Sequence, residues 1–195
     1  MNVYDFDNTV YDGETVVDFY FFCLKKNLSL IKYIPLMTVM LAKYKLGKIS
    51  VKELEEKASK YAARILLSVD STERAISEFW DKNEHKIKEF YKRNKRSDDI
   101  IISASCGFIL REICKRLDIK NLICSEIDIT TGEIKQICFR TNKPVILKRL
   151  YPGITVDNFY TDSLNDSPMI ELSKNAYLVK KNKILKIKEE KRNEF

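Results

Sequence analysis

The sequence of 195 residues predicts an α/β fold, in which helices cover a parallel β-sheet and a helical segment is inserted after the first strand. From residue 100 onward, short β-branched runs alternate with helical patterns, which is typical of a parallel sheet with right-handed crossovers. From about 13 to 97 the apolar periodicity is helical throughout. Polar and charged residues follow several strands, and ligands of such sheets bind at that edge.

The first strand, 2–4, runs directly into Asp5-Phe6-Asp7-Asn8-Thr9. Side chains two residues apart share a face of a strand, so Asp5 and Asp7 are expected to converge. Two converging carboxylates repel each other unless a cation lies between them, and an oxygen-only ligand set suits Mg²⁺. One carboxylate can then attack phosphorus while the other transfers a proton. Taken alone, the motif fits a polar strand-to-loop turn equally well.

Helices are predicted throughout 13–97. A strongly apolar helical pair is expected over 16–46, with breaks near 27–29 and at Pro35. Ser50 and Glu53 form a capping box ahead of a second helical stretch. A later helix is predicted to carry Ile76, Phe79, Trp80, Asn83, Ile87 and Phe90, with His85 on its charged surface.

The next strand, 100–102, ends in Ser103 and Ala104, and a helical pattern starts after Gly107. A helix N-terminus of this kind favours an anion, because free N–H groups and the helix dipole point at it. A hairpin with its turn at 131–132 then leads to Lys143, at the start of another helix. Taken singly, Ser103 is equally well explained as a helix cap and Lys143 as a surface lysine.

The last acidic segment follows a strand at 156–160 and contains Asp162, Ser163, Asn165 and Asp166. Pro168 opens the helix that comes next. A capping pair formed by Asp162 and Asp166 is the alternative for this segment alone. Four such segments in this order, each at a strand's end, are far harder to explain as unrelated turns. The joint pattern therefore predicts one ligand site at the carboxyl edge of the sheet.

Together these segments resemble the motifs of the haloacid dehalogenase (HAD) superfamily of phosphatases, in particular its subfamily IB. The matching residues are Asp5, Asp7 and Thr9 in motif I, Ser103 in motif II, Cys138 and Lys143 in motif III, and Asp162, Ser163 and Asp166 in motif IV. The resemblance covers essentially the whole chain. It implies a Rossmann-like three-layer core, 1–12 and 98–195, with a helical C1-type cap, 13–97. Asn8 and Thr161 depart from the pattern, since each stands where glycine is usual.

The resemblance implies a Mg²⁺-dependent phosphomonoester hydrolase that works through an aspartyl-phosphate intermediate. Asp5 would be the nucleophile, Asp7 the general acid and base, and Lys143 the catalytic cation. The implied metal residues are Asp5, Asp7 through its backbone carbonyl, Asp162 and Asp166. The implied phosphate- or substrate-binding residues are Thr9, Ser103, Ala104, Lys143 and Asn165. The alternative of another class is a non-catalytic phosphate-binding regulatory module, whose expected signature is the loss of Asp5, Asp7 or Lys143.

The substrate is left open between small and lipid-linked phosphates. Glu14 lies where phosphoserine phosphatases carry a substrate-contacting glutamate, or else it caps the first inserted helix. The apolar residues of 16–46, with lysines beside them, resemble subfamily members that act on lipid phosphates such as phosphatidylglycerophosphate, and they suggest peripheral contact with an anionic membrane. The alternative is a cap that packs its own core or a dimer contact. The chain is expected to be a monomer or a homodimer.

Composition restricts the other functions. The net charge is +7, but 180–195 holds seven Lys or Arg against three Glu, a surplus of four in a solvated tail that includes a predicted edge strand. No nucleic-acid partner is therefore expected. The five cysteines lack a C-x-x-C pair and are expected to be reduced thiols of a cytoplasmic protein. Since motif I begins at Asp5, no cleavable signal segment is expected, and no apolar run reaches the roughly 20 residues of a membrane span.

Overall fold

The computed structural model of the protein describes residues 1–49, 53 and 72–190. The helix predicted after the capping box at Ser50 lies outside the described residues, apart from Glu53.

The core of the molecule is a seven-stranded sheet with the strand order β4-β3-β2-β1-β5-β6-β7. The strands are β1 Asn2–Tyr4, β2 Ile100–Cys106, β3 Asn121–Ile127, β4 Ile134–Gln136, β5 Asn158–Thr161, β6 Asn175–Lys180 and β7 Lys183–Lys188. The central strand β1 is parallel to both of its neighbours, β2 and β5. The outer strands β4 and β7 are antiparallel to theirs. The predicted hairpin and the predicted edge strand are thereby confirmed.

Helices cover both faces of this sheet. The α-helices are α1 Thr15–Lys26, α2 Ile34–Lys45, α3 Thr72–Asn83, α4 Glu89–Asn94, α5 Gly107–Arg116, α6 Asn142–Leu150 and α7 Ser167–Leu172. Strand alternation directs Val3 toward α6 and α7, whereas Tyr4 packs with α1, α3 and α5. The result is a mostly parallel sheet between two helical layers, which confirms the predicted three-layer α/β class.

The inserted helices pack on the same apolar cluster as the sheet. Trp80 of α3 is completely buried, and its ring contacts Phe6, Tyr11 and Phe79 at centroid distances of 6.2, 5.5 and 4.9 Å. Its indole N–H donates to the carbonyl of Ile109 in α5 at 2.8 Å. The helical break at Asn27 is confirmed, and Pro35 lies in the first turn of α2, where its missing N–H costs nothing. The boundaries predicted for the cap and the core stay predictions.

One part of the helical prediction is wrong. The helix expected to run through Ile87 ends at Asn83, and a short 3₁₀ turn, Glu84–Lys86, follows it. Ile87 is extended and forms an antiparallel bridge with Tyr11. The residues on either side of Ile87 pair with the same loop. Asp12 N donates to Lys86 O at 2.9 Å, and Lys88 N donates to Val10 O at 2.8 Å. Burial of Ile87 and these backbone bonds outweigh the local helical pattern. His85 is exposed, as predicted.

Within the described part of the chain, no helix is long and apolar enough to cross a membrane. All five cysteines are free thiols, and all but Cys106 are buried.

Candidate active site

The predicted site residues gather at the carboxyl edge of the three central strands. Asp5 follows β1 directly, Ser103 lies within β2, and Asp162 follows β5. Since β2 and β5 both run parallel to β1, their carboxyl ends lie at the same edge as the end of β1. The amide of Asp5 also donates to the carbonyl of Tyr160 at 2.9 Å, which fixes the exit of β1 against β5.

A buried lysine joins the first and the last of these segments. Lys143 is the second residue of α6, and its side chain is only 3% exposed. Its Nζ donates to Asp5 Oδ1 at 2.8 Å and to Asp166 Oδ2 at 2.9 Å. Thr161 Oγ1 donates to the same Asp166 oxygen at 3.0 Å. Lys143 is therefore an internal counter-ion of two carboxylates, not a surface lysine.

The charges at this edge are only partly balanced. Burial raises the pKa of Asp5 to about 7, while Lys143 opposes the shift and Asp166 adds to it. Burial likewise raises the pKa of Asp162. Burial disfavours the charge of Lys143 as well, but the attraction of Asp5 and Asp166 outweighs it and raises the pKa of Lys143. These opposing shifts favour the charged form of Lys143 and the neutral form of Asp5.

The carboxylate of Asp7 accepts hydrogen bonds from two elements. Oδ1 accepts from the backbone N of Thr15, at 2.7 Å, and from the Thr15 hydroxyl, at the N-terminus of α1. Oδ2 accepts from Ser105 Oγ in β2 at 2.5 Å. Asp7 therefore links the inserted helix α1 to strand β2 of the sheet.

The loop that carries these carboxylates contains a left-handed residue. Asn8 has φ of 57°, a conformation that asparagine tolerates better than most residues, which accounts for asparagine at a position where the family usually has glycine. Its side chain donates to Glu14 Oε1 at 2.5 Å. Glu14 occupies the N-cap position of α1, and its carbonyl accepts from Asp18 N at 2.8 Å, but its side chain makes no capping hydrogen bond. Thr9 Oγ1 lies 3.4 Å from Asp5 Oδ2, where it supports the loop weakly.

The remaining predicted residues differ in exposure. Ser103 is buried, and its Oγ accepts from the backbone N of Ser105 at 3.0 Å. Ala104 and Asn165 are exposed. Asp162 is half-buried, and its carbonyl accepts from Lys180 Nζ at 2.6 Å.

Three residues near the loop were not predicted from the sequence. Thr15 and Ser105 bind Asp7, and Lys88 donates to the backbone carbonyl of Asn8. Ser105 is two residues from Ser103, and that spacing on one strand was the available signal. Lys88 gave none, because its segment has a helical pattern and becomes extended only through its pairing with the loop.

The donor set fits a hard cation such as Mg²⁺, although side chains alone do not complete a site. Among residues 1–49, 53 and 72–190, no three His, Cys, Asp or Glu side chains converge closely enough to hold a metal. Burial raises the pKa values of the buried Asp5 and the half-buried Asp162, and a bound cation would favour the ionised form of each carboxylate. Mg²⁺ usually binds through one or two carboxylates plus water and substrate phosphate. An incomplete oxygen set is therefore compatible with this ion.

Comparisons with known proteins bear on the fold and the family of the chain. No significant match was found among curated proteins. A solved structure of a protein of unknown function from Bordetella pertussis Tohama I shares 17% identity and a TM-score of 0.70, over 88% of this chain and 85% of that one. A phosphoserine phosphohydrolase-like protein from Francisella tularensis shares 17% identity and a TM-score of 0.58, over 90% and 86%.

An apo phosphoserine phosphatase shares 15% identity and a TM-score of 0.53, over 89% of this chain and 82% of that one. At such identities these structures establish the fold alone. The family model of the haloacid dehalogenase-like hydrolases matches residues 3–171, which confirms the family predicted from the motifs, while subfamily IB stays a prediction. The chain belongs to the haloacid dehalogenase-like hydrolase family.

Proposed function

We propose that the protein is a Mg²⁺-dependent phosphomonoester hydrolase that works through an aspartyl-phosphate intermediate. The observation that carries the proposal is the contact of the Lys143 ammonium with Asp5 and Asp166 in a buried site, beside the hydrogen-bonded carboxylate of Asp7. A nucleophile, a proton carrier and a fixed positive charge lie together at one sheet edge. That combination suits phosphoryl transfer, in which positioning and charge stabilisation do most of the catalysis.

In the first step, an oxygen of Asp5 attacks phosphorus, and the bond from phosphorus to the alcohol oxygen breaks. Asp7, protonated, gives its proton to the departing oxygen. In the second step Asp7 takes a proton from water, whose oxygen attacks phosphorus and releases Asp5 and inorganic phosphate. Lys143 and Ser103 hold the oxygens that are not transferred, and Lys143 reduces repulsion between Asp5 and the phosphoryl group.

Asp5, the backbone carbonyl of Asp7 and Asp162 would hold Mg²⁺, with Asp166 orienting either water or Lys143. The raised pKa values of Asp5 and Asp162 support this assignment, because a divalent cation stabilises their ionised forms. When bound, the ion supplies positive charge against the phosphoryl oxygens.

The proposal is tested with p-nitrophenyl phosphate and Mg²⁺, in the native protein and in Asp5→Asn. We expect turnover by the native protein, a phosphorylated protein after rapid acid quench, and neither in the variant. Full activity of Asp5→Asn would exclude the covalent mechanism. Binding of inorganic phosphate without turnover of any phosphate ester would instead favour the non-catalytic regulatory module.

An amino-acid phosphate is one candidate substrate. The Glu14 side chain makes no capping bond and accepts from Asn8. Burial raises the pKa of Glu14, and the charge of Asp7 adds to the shift. A carboxylate in that place can bind a substrate ammonium group. Two of the similar structures are a phosphoserine phosphohydrolase-like protein and a phosphoserine phosphatase, which supports this class. Turnover of a panel of small phosphates, with phosphoserine included, tests it.

A lipid-linked phosphate is the second candidate. Several large apolar side chains of the first two inserted helices and their connection are exposed: Val16, Val17, Phe21, Leu28, Ile31, Leu36 and Val39. Lys25 and Lys32 lie among them, as in a surface that contacts an anionic interface. Co-sedimentation with vesicles that contain an anionic phospholipid, together with turnover of a lipid phosphate, tests this class. An enzyme that ignores vesicles and prefers small polar phosphates excludes it.

A further inference from the structure

Lys88 is a buried cation that the mechanism above does not use. Its side chain is 5% exposed, and its Nζ donates to the backbone carbonyl of Asn8. The nearest carboxylate oxygen that it approaches, Asp12 Oδ1, lies at 3.9 Å, which is too long for a hydrogen bond. Within the described residues, one carbonyl is therefore the single hydrogen-bond acceptor for an ammonium that has three N–H donors.

Burying this ammonium costs desolvation free energy, although the backbone of Lys88 is held in place without the side chain. Burial lowers the pKa of Lys88, and the charges of Asp12 and Asp162 recover part of the loss. The backbone is held without the side chain, because Lys88 N donates to Val10 O and Lys88 O accepts from Tyr91 N at 3.1 Å. An apolar side chain would fill the same space with no desolvation of a charge. The ammonium therefore contributes something other than packing.

The carbonyl that Lys88 binds belongs to the residue after Asp7. Asn8 has a left-handed backbone, and its N–H donates to Gly13 O at 3.0 Å. Among the described residues, the Asn8 carbonyl accepts a hydrogen bond from Lys88 alone, so loss of the ammonium leaves a partly buried carbonyl without a protein donor. A change in the Asn8–Thr9 peptide plane shifts the loop backbone next to Asp7, and a small misplacement of a catalytic group lowers the rate strongly.

We propose that Lys88 is a positioning residue for the proton-transfer step: its ammonium fixes the Asn8 carbonyl and so holds Asp7 where it meets the leaving-group oxygen. This inference rests on the proposed function, in which Asp7 is the general acid. It also assigns a role to the extended segment at Ile87 and Lys88, which connects the inserted helices to the sheet. That segment places the Lys88 ammonium against the loop that carries Asp5 and Asp7.

The test compares two substrates of similar shape, p-nitrophenyl phosphate and phenyl phosphate, in Lys88→Met. The substitution keeps the aliphatic volume and removes the charge. The p-nitrophenolate anion departs with little help, whereas phenolate depends more on protonation, and kcat/KM reports the steps up to that departure. We expect Lys88→Met to lower kcat/KM about tenfold more for phenyl phosphate than for p-nitrophenyl phosphate.

Lys92→Met is the matched control, because Lys92 lies four residues later, is exposed and pairs with Glu89 at 3.0 Å. It should leave both kcat/KM values and their ratio unchanged. Lys88→Arg, which keeps a charged donor, should keep the native ratio. If Lys88→Met does not fold, Lys88→Leu replaces it with the same expected selectivity, since its side chain has neither a charge nor a hydrogen-bond donor. Inhibition by inorganic phosphate should stay unchanged in the folded variants.

Equal losses of kcat/KM on the two substrates would overturn the proposal. A smaller folded fraction or weaker phosphate binding would lower kcat/KM for both substrates by the same factor. Asp7→Asn separates this failure from a failure of the proposed function. If Asp7→Asn is selective against phenyl phosphate and Lys88→Met is not, the role of Lys88 alone is wrong. If Asp7→Asn shows equal losses, the acid role of Asp7 is wrong and the inference is overturned with it.

Discussion

Ser105 Oγ donates a 2.5 Å hydrogen bond to Asp7 Oδ2, and this bond joins the second strand of the sheet to the loop that follows the first. The two residues are 98 positions apart in the chain. The bond exists because β2 runs parallel beside β1, which brings the carboxyl ends of both strands to one edge. Ser105 is therefore a support for the carboxylate to which we assign proton transfer.

Ser105→Ala should lower kcat/KM about 10-fold, because Asp7 Oδ2 loses the hydrogen bond that orients it. Among the described residues, Thr15 then remains as the donor to Asp7. Steady-state kinetics on p-nitrophenyl phosphate and phenyl phosphate measure the effect. Ser173→Ala is the matched control, since that buried hydroxyl donates to Ile170 O at 2.9 Å far along the chain. The control should cost about 1 kcal/mol in the free energy of unfolding and leave the kinetics unchanged. Identical kinetics in the two variants would contradict a role for Ser105.

Lys143→Met should lower kcat/KM about 100- to 1,000-fold, because Asp5 and the phosphoryl oxygens lose their fixed positive charge. The same change leaves Asp5 and Asp166 facing each other without a counter-ion, and breaking a buried ion pair costs about 3–5 kcal/mol in the free energy of unfolding. Urea denaturation and steady-state kinetics measure the two effects. Lys92→Met should change neither, and a Lys143 variant that resembles that control would remove Lys143 from the mechanism.

Removal of divalent metal by a chelator should abolish turnover, and added Mg²⁺ should restore it, because burial raises the pKa values of Asp5 and Asp162 and a bound cation stabilises their ionised forms. Asp162→Asn should raise the Mg²⁺ concentration needed for half-maximal activity about 10- to 100-fold. Titration of activity with Mg²⁺ in both proteins gives the comparison. Hydrolysis that persists in the presence of the chelator would exclude the assigned metal role.

Trp80→Phe should lower the free energy of unfolding by about 2–4 kcal/mol, because the smaller ring leaves a cavity between Phe6, Tyr11 and Phe79. The Ile109 carbonyl also loses the indole donor at 2.8 Å. Thermal or urea unfolding measures the change. Tyr151→Phe is the control, since it removes one hydroxyl contact to Asn121 at a partly buried position and should cost about 1 kcal/mol or less. Equal effects would mean that Trp80 does not join the inserted helices to the sheet.

The sequence by itself was sufficient for the fold class and for most residues of the candidate site. Strand runs that alternate with helical patterns are local signals. Each of these strands predicts the position of the site residue at or near its end: Asp5, Ser103 and Asp162. Parallel pairing then places strand ends together by topology alone, without any information on side-chain contacts. The left-handed backbone of Asn8 agrees with its residue type as well, because asparagine tolerates that region.

Only the tertiary structure decided which side chains meet at the site and how the segment before β2 runs. The segment around Ile87 has a helical pattern, yet it is extended because backbone bonds to Val10 and Asp12 and burial of Ile87 are worth more than helical propensity. That pairing brings Lys88 under the loop of Asp7. The orientation of Asp7 toward Thr15 and Ser105 was equally undetermined, because these contacts depend on where the inserted helix docks, a choice made by packing between residues distant in sequence.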